Sequence, residues 1–153
     1  ADGTVFSVAP GVSGGRFDPD RHEFVNFGAE EVIADLCGFL ARLKSVNPGV
    51  RVLLTVSPVP LIATYEPRHV LVSNCASKSA LRVAAETAWR RFDWVDYFPS
   101  YEIITGNFND SAYYDPDYRG VNAQGVDHAM RCFMRHYTDV GRASAAVTPA
   151  IAS

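Results

Sequence analysis

The sequence predicts an α/β fold: a layered α/β/α sandwich around a mostly parallel sheet. Two patterns carry that prediction. The first is Val50–Pro60 (VRVLLTVSPVP), a β-branched and aliphatic run that passes into Ser57 and two prolines. A short apolar run bounded by turn formers fits a strand buried on both faces. The second is Val95–Phe98 (VDYF), which ends in Pro99-Ser100-Tyr101-Glu102. A helical pattern precedes each run, and parallel strands require such crossovers. In open α/β sheets, ligands sit beyond the carboxyl ends of the strands, so the residues that follow these two runs are where chemistry is expected.

Taken in order, Thr4–Ala9 (TVFSVA) alternates and fits a short strand, and Pro10–Pro19 is rich in Gly and Pro and fits a loop. Glu23–Phe27 (EFVNF) alternates again, as a second short strand or an extended lead-in. From Ala29 to Val46, Val32, Ile33, Leu36, Phe39, Leu40 and Leu43 recur at helical spacing, and Asn47-Pro48-Gly49 is a strong stop. Glu30 and Glu31 suit the first turn of that helix, where they complement its dipole. After the central strand, Ser57–Arg68 fits a proline-bearing loop and His69–Ser73 (HVLVS) an extended piece. A second amphipathic helix over Ser77–Phe92 places Leu81, Ala84, Ala85, Ala88 and Trp89 on one side. Thr105–Gly120 is a polar loop, long enough to be functional by the usual length of connections. A last helix over Ala123–Tyr137 has Val126, Met130, Phe133 and Met134 as its core face.

The chain has 153 residues, 48% of them hydrophobic and 20% charged, which fits one globular domain over residues 1–140 with a flexible tail over 141–153. A net charge of -3 with scattered basic residues excludes a nucleic-acid footprint. No apolar run approaches the ~20 residues that span a bilayer, so no membrane partner is expected. Three separated cysteines, Cys37, Cys75 and Cys132, fit buried free thiols in a reducing compartment, hence a cytoplasmic location. No histidine pair has metal-ligand spacing and there is no Gly-rich phosphate cradle, so neither metal nor cofactor is expected. Ala1 opens the chain where Met is usual, which implies an N-terminal block removed.

Three polar clusters follow the strand ends: Ser57, then Ser100-Tyr101-Glu102, then Asp115 and Asp117 with Tyr118 and Arg119. Each has a plainer reading. Ser57 before Pro58 suits a turn, Tyr101 and Glu102 suit a hydrogen-bonded anchor, and Asp115-Pro116-Asp117 is an ordinary turn signature. His136 suits the end of the last helix, where its charge favours the dipole. His128 fits a solvated or packed position within that helix as readily as a catalytic one.

TVSPVPLIAT (Thr55–Thr64), SKSALRVAAE (Ser77–Glu86) and YFPSYEII (Tyr97–Ile104) together resemble the GSCFA domain, a branch of the SGNH hydrolase-like superfamily. The resemblance spans Val5 to Tyr137 and implies a flavodoxin-like sandwich, here lacking its N-terminal strand. It also implies a Ser nucleophile near the N-terminus, and an Asp with a His three residues later before the last helix. No Gly-Ser-Cys-Phe-Ala occurs in this chain. Asp117-Tyr118-Arg119-Gly120 occupies the Asp-x-x-His position, so Asp117 matches and Gly120 stands where His is expected.

The implied activity is an esterase or acyl hydrolase, or an acyltransferase, acting on a small O-acyl ester such as an O-acetylated carbohydrate. Asp117 would orient a base, with His128 or His69 in place of the missing His, and Ser57, Ser100, Tyr101 and Glu102 would shape the substrate pocket. The alternative is a non-catalytic module that binds a carbohydrate or other ligand, with Tyr101, Tyr113, Tyr114 and Tyr118 stacking on a sugar. A sheet without its first strand would expose an apolar edge and self-associate.

Overall fold

A computed structural model of the chain describes residues 10–11 and 15–138. The expected strand Thr4–Ala9 and the expected tail 141–153 lie outside the described residues. The architecture is mixed: a two-stranded parallel sheet and four α-helices among the described residues.

Helix α1 (Ala29–Val46) has the predicted bounds. The Glu31 carboxylate accepts from the Gly28 amide at 2.8 Å, satisfying one donor ahead of the first turn. At the other end the Asn47 amide closes on Leu43 O at 2.9 Å. Lys44 then reaches across the turn, with Nζ 3.1 Å from Val50 O and 4.9 Å from the centre of the Trp94 ring. This clasp aims the chain into β1 (Val52–Leu54), shorter than the apolar run suggested.

Helix α2 (Val70–Arg91) begins seven residues earlier than its amphipathic pattern indicated, and His69–Ser73 is its cap and first turn rather than an extended piece. The His69 Nδ1 accepts from the Leu71 amide at 3.2 Å, so an imidazole does the work of a capping side chain. Ser73, only 1% exposed, accepts from Arg68 Nε, and Asn74 accepts from the Leu61 amide. These bonds, available only to a helical first turn, override the strand preference of Val70 and Val72. Glu23–Phe27 forms no strand.

Strand β2 (Val95–Tyr97) pairs parallel with β1, Val52 opposite Val95 and Leu54 opposite Tyr97. Alternation points Val95 toward the helices, where it packs with Leu40 of α1 and Ala88 of α2. Tyr97 points the same way and packs with Ala85 and Val56. Phe98 meets Phe133 and Tyr137 edge-on, and both belong to α4 (Ala123–Tyr137), another helix with the predicted bounds.

Several expected core positions are not buried. Leu81 and Trp89 of α2 are exposed, as are Phe39 of α1 and Val126, Met130 and Met134 of α4. Small side chains explain α2: Ala84, Ala85 and Ala88 form a flat seam that lets α2 approach both α1 and the strands closely, leaving the flanking large residues at the rim. The segment expected as one long polar loop is also more ordered. Helix α3 (Ser100–Thr105) and a 3₁₀ turn (Asn107–Asn109) follow β2 directly. Of the three thiols, all free, only Cys37 is buried; Cys75 is exposed and Cys132 half-buried. Among the described residues no helix is long and apolar enough to cross a membrane.

Candidate functional site

The parallel pairing sends the chain out of both strands on the same side, and polar side chains lock the two exits together. Ser100 donates to Val56 O at 3.1 Å, and its hydroxyl also bonds the Thr55 hydroxyl. From α2, Lys78 Nζ donates to Ser57 O at 2.7 Å. From the later loop, Tyr114 OH donates to Pro58 O at 3.0 Å. Ser57 and Ser100 therefore share one rim, as the topology predicted. The Ser57 hydroxyl accepts from the Val59 amide at 3.3 Å, the turn role of a Ser-Pro step.

Glu102 belongs to a second network behind that rim. Arg82 Nε lies 2.7 Å from Glu102 Oε1 and Arg82 Nη2 lies 3.0 Å from Glu86 Oε2, while the guanidinium stacks 4.2 Å over the Tyr97 ring. The Tyr97 hydroxyl donates to Glu102, 2.9 Å from Oε2. Burial first, and this carboxylate second, hold the Tyr97 phenol well above its ordinary range. Arg82 Nη1 is buried with no hydrogen-bond partner. Tyr101 packs beside Val56, Ala85 and Tyr97. Glu102 is therefore bonded to Tyr97 and Arg82 and not to Tyr101, so the two do not form the hydrogen-bonded pair raised for them from sequence.

Asp117 and His128 are not brought together by any contact among the described residues. Asp117 Oδ1 accepts from the amides of Arg119 and Gly120, each at 2.9 Å, and these two bonds hold its carboxyl below the usual carboxylate range. Tyr118 adopts φ 55° inside this closed turn, and the Asp115 amide meets Gly120 O at 2.7 Å. A Cβ at Gly120 would come within 2.5 Å of Asp115 Oδ2, so the His of the expected motif would fit this turn only if the exposed Asp115 carboxylate swung aside. His128 Nδ1 instead bonds the Tyr113 hydroxyl at 2.7 Å, the two rings lying edge to face. With Tyr113 and Tyr114 both tied inward, only the exposed Tyr118 and the half-buried Tyr101 remain of the four tyrosines considered for a sugar platform.

Two residues central to this region escaped the reading of the sequence: Lys78 and Arg82. The signal was present in their spacing, because Lys78 stands seven residues before Ala85 and four before Arg82, in register with the buried face of α2. Burial pushes the Lys78 amine below its ordinary range. The folded state therefore gives up this proton more readily than the unfolded chain. The resulting cost is complete below the folded-state pKa and fades as pH climbs toward the ordinary lysine value of about 10.4. Lys78→Met, which replaces the buried amine by an apolar side chain of similar length, is expected to raise Tm at neutral pH. Its advantage should shrink steadily when melting is repeated toward pH 10.

Between the strand exits and α4 lies a groove of about 430 Å³. Thr55, Pro58 and Ser100 line it from the strand side, Phe98 and Ile104 from beneath, and Val126, Ala129, Met130 and Phe133 from α4. Its walls present only apolar surface, because the Thr55 and Ser100 hydroxyls are turned to each other and to Val56 O. Among the described residues, no three His, Cys, Asp or Glu side chains are grouped to hold a metal ion.

No curated protein matches this sequence and no solved structure matches it. The family model described as the GSCFA family matches residues 2–133. That span contains α1 through most of α4, with both strands, Lys78, Ser100 and the Asp117 turn. The chain belongs to the GSCFA family.

Proposed function

We propose that this chain is the ligand-holding part of an SGNH-like α/β/α sandwich, and that its groove takes the apolar acyl portion of a small ester without cleaving it. The observation that carries this reading is the position of the groove: an apolar cleft at the carboxyl ends of two parallel strands, where such folds place their ligands. Helices against both Val95 and Phe98 support the layered architecture. Three free thiols support a reducing, cytoplasmic setting.

Acyl transfer needs a nucleophile activated by a base within hydrogen-bond reach, and the base must be oriented by a third group. Among the described residues, Ser57 and Ser100 are bonded to backbone and hydroxyl partners, and His128 is bonded to Tyr113. Nothing in that set couples a serine to an imidazole. The non-catalytic reading is therefore favoured over the esterase or acyltransferase for this chain, and the apolar walls favour an acyl chain over a sugar ring.

Two measurements test it. Hydrolysis of 4-nitrophenyl acetate should not exceed the buffer blank, and a fluorescent medium-chain acyl probe should bind and be displaced by octanoate. Ala129→Trp, which fills the groove from α4, should weaken probe binding about tenfold or more, since a lost groove forfeits at least ~1.4 kcal/mol. Turnover above the blank that falls in Asp117→Ala would reinstate the esterase. Probe affinity unchanged by Ala129→Trp would remove the groove from the argument.

A further inference from the structure

The hairpin that leads into α4 holds a tyrosine where its backbone calls for glycine. Tyr114 and Val121 form an antiparallel bridge, the Asp115 amide meets Gly120 O at 2.7 Å, and the Tyr118 amide closes on Asp115 O at 2.8 Å. Pro116 and Asp117 suit the two central positions of that turn, and Tyr118, which comes next, adopts φ 55°. In hairpin connections the left-handed position after the turn is one for glycine or asparagine, since a larger side chain there crowds the backbone. A bulky residue in that conformation is strained and needs compensation. Packing within the chain does not supply it, because Tyr118 is 75% exposed. Neither does the Asp117 carboxylate, whose two bonds go to the amides of Arg119 and Gly120 and would hold with any side chain at position 118.

The base of this hairpin is fixed to the apolar groove. Val121 and Pro58 both line it, and the Tyr114 hydroxyl donates to Pro58 O at 3.0 Å. Asn122 pins the same base, its Nδ2 donating to Ala112 O at 2.7 Å and to Tyr114 O at 3.2 Å. Tyr118 stands three residues from Val121, so no more than about 11 Å of backbone separates it from the groove wall. Val126 and Met130 line the groove and are still half exposed, so one flank of it faces water. We propose that Tyr118 is a ligand-contact residue of the groove, its ring closing over the exposed flank of a bound acyl chain. This rests on the acyl-binding reading and adds the residue that retains the ligand. The chemistry of both surfaces agrees. The walls present only apolar surface, and a tyrosine ring covers a hydrocarbon chain with a large rigid face while its hydroxyl stays in water. The strained backbone is then the cost of presenting that ring beside the groove, and the ring slows departure of the ligand more than it speeds arrival.

Two variants test it against the parent: Tyr118→Asn, which suits the left-handed position, and Tyr118→Phe, which keeps the ring. Without ligand, Tyr118→Asn should melt at the parent's Tm or about 2–4 °C above it, as the strain is relieved. With the fluorescent medium-chain acyl probe, the same variant should bind about tenfold more weakly, mostly through faster release, while Tyr118→Phe should stay within about twofold of the parent. In NMR of the parent with octanoate, the chain methylenes should show contacts to the Tyr118 ring. A lower Tm for Tyr118→Asn would make the tyrosine a structural residue and overturn the proposal. So would parent-like probe affinity in Tyr118→Asn, an equal loss in Tyr118→Phe, or no octanoate contact to the ring. Where Ala129→Trp still weakens the probe, any of these results removes the Tyr118 contact alone. A parent that does not bind the probe, or binding unchanged by Ala129→Trp, removes the acyl-binding reading and this contact with it.

Discussion

Leu40→Ala is expected to cost about 2–5 kcal/mol and to lower Tm by about 5–15 °C in thermal melts. Leu40 is fully buried and is the largest aliphatic side chain that is so among the described residues. It stands where α1, α2 and β2 meet, touching the cluster of Ala88 and Val95 with Leu36, Val52 and Trp94 around it. Its neighbours cannot collapse into the space left behind. Ala88 has no further side chain to offer, and Val95 is fixed by its ladder position opposite Val52. The cavity term therefore adds in full to the lost transfer energy. Phe39, one position earlier and 61% exposed, provides the control: Phe39→Ala should shift Tm little, although sequence pattern assigned both residues to the same core face. Equal shifts for the two would mean that α1 packs through a different face.

Gly125→Ala is expected to destabilise by about 1–2 kcal/mol, although alanine is the better helix former by about 0.8–1.0 kcal/mol. A Cβ there would lie 2.8 Å from Tyr113 Cβ, 3.0 Å from Val121 Cγ1 and 3.1 Å from Tyr113 O. None of these is the end of a flexible side chain. The chain around Tyr113 is pinned, because Asn122 donates to Ala112 O at 2.7 Å, receives the Gly125 amide at 3.0 Å and closes its own amide on Tyr113 O at 3.0 Å. Overpacking of about 1–3 kcal/mol thus outweighs the propensity gain. Denaturant melts give the magnitude. The location is given by the His128 ring signals in NMR, which should change because the bond to Tyr113 OH stretches. A Tm at or above the parent value would show that the loop yields.

How much of this was legible beforehand depended on which residue closed each element. Helix α1 was readable to its ends because Asn47-Pro48-Gly49 is conventional punctuation, and α4 because Val126, Met130, Phe133 and Met134 recur at helical spacing. The start of α2 was not, since its cap is an imidazole and its first turn is written in Val, Leu and Val. Helix α3 is six residues long behind a proline, too short to show a period. Parallel pairing and a shared exit for Ser57 and Ser100 followed from two apolar runs separated by a helix, and the geometry agrees. The polar partners of that exit were hidden because Lys78 and Arg82 read as solvated charges in one dimension. Only the packing of α2 shows that one caps a carbonyl and the other a tyrosine face. Asp117 was singled out by a motif whose last position holds Gly120, and its carboxylate closes its own turn.

Three ladder positions hold β1 to β2, and the chain between them runs from Leu54 to Val95. So few cross-strand bonds cannot offset the entropy of closing so long a loop. The α1–α2 seam spans as long a stretch of chain, Leu40 to Ala88, but it joins two helices whose own hydrogen bonds are local. It is also built on alanines that need little ordering, so it is the part able to form first. Strand pairing then follows helix docking in time, and the shared rim comes into being only at the final stage of folding, when the Ser100 and Tyr114 bonds fasten it.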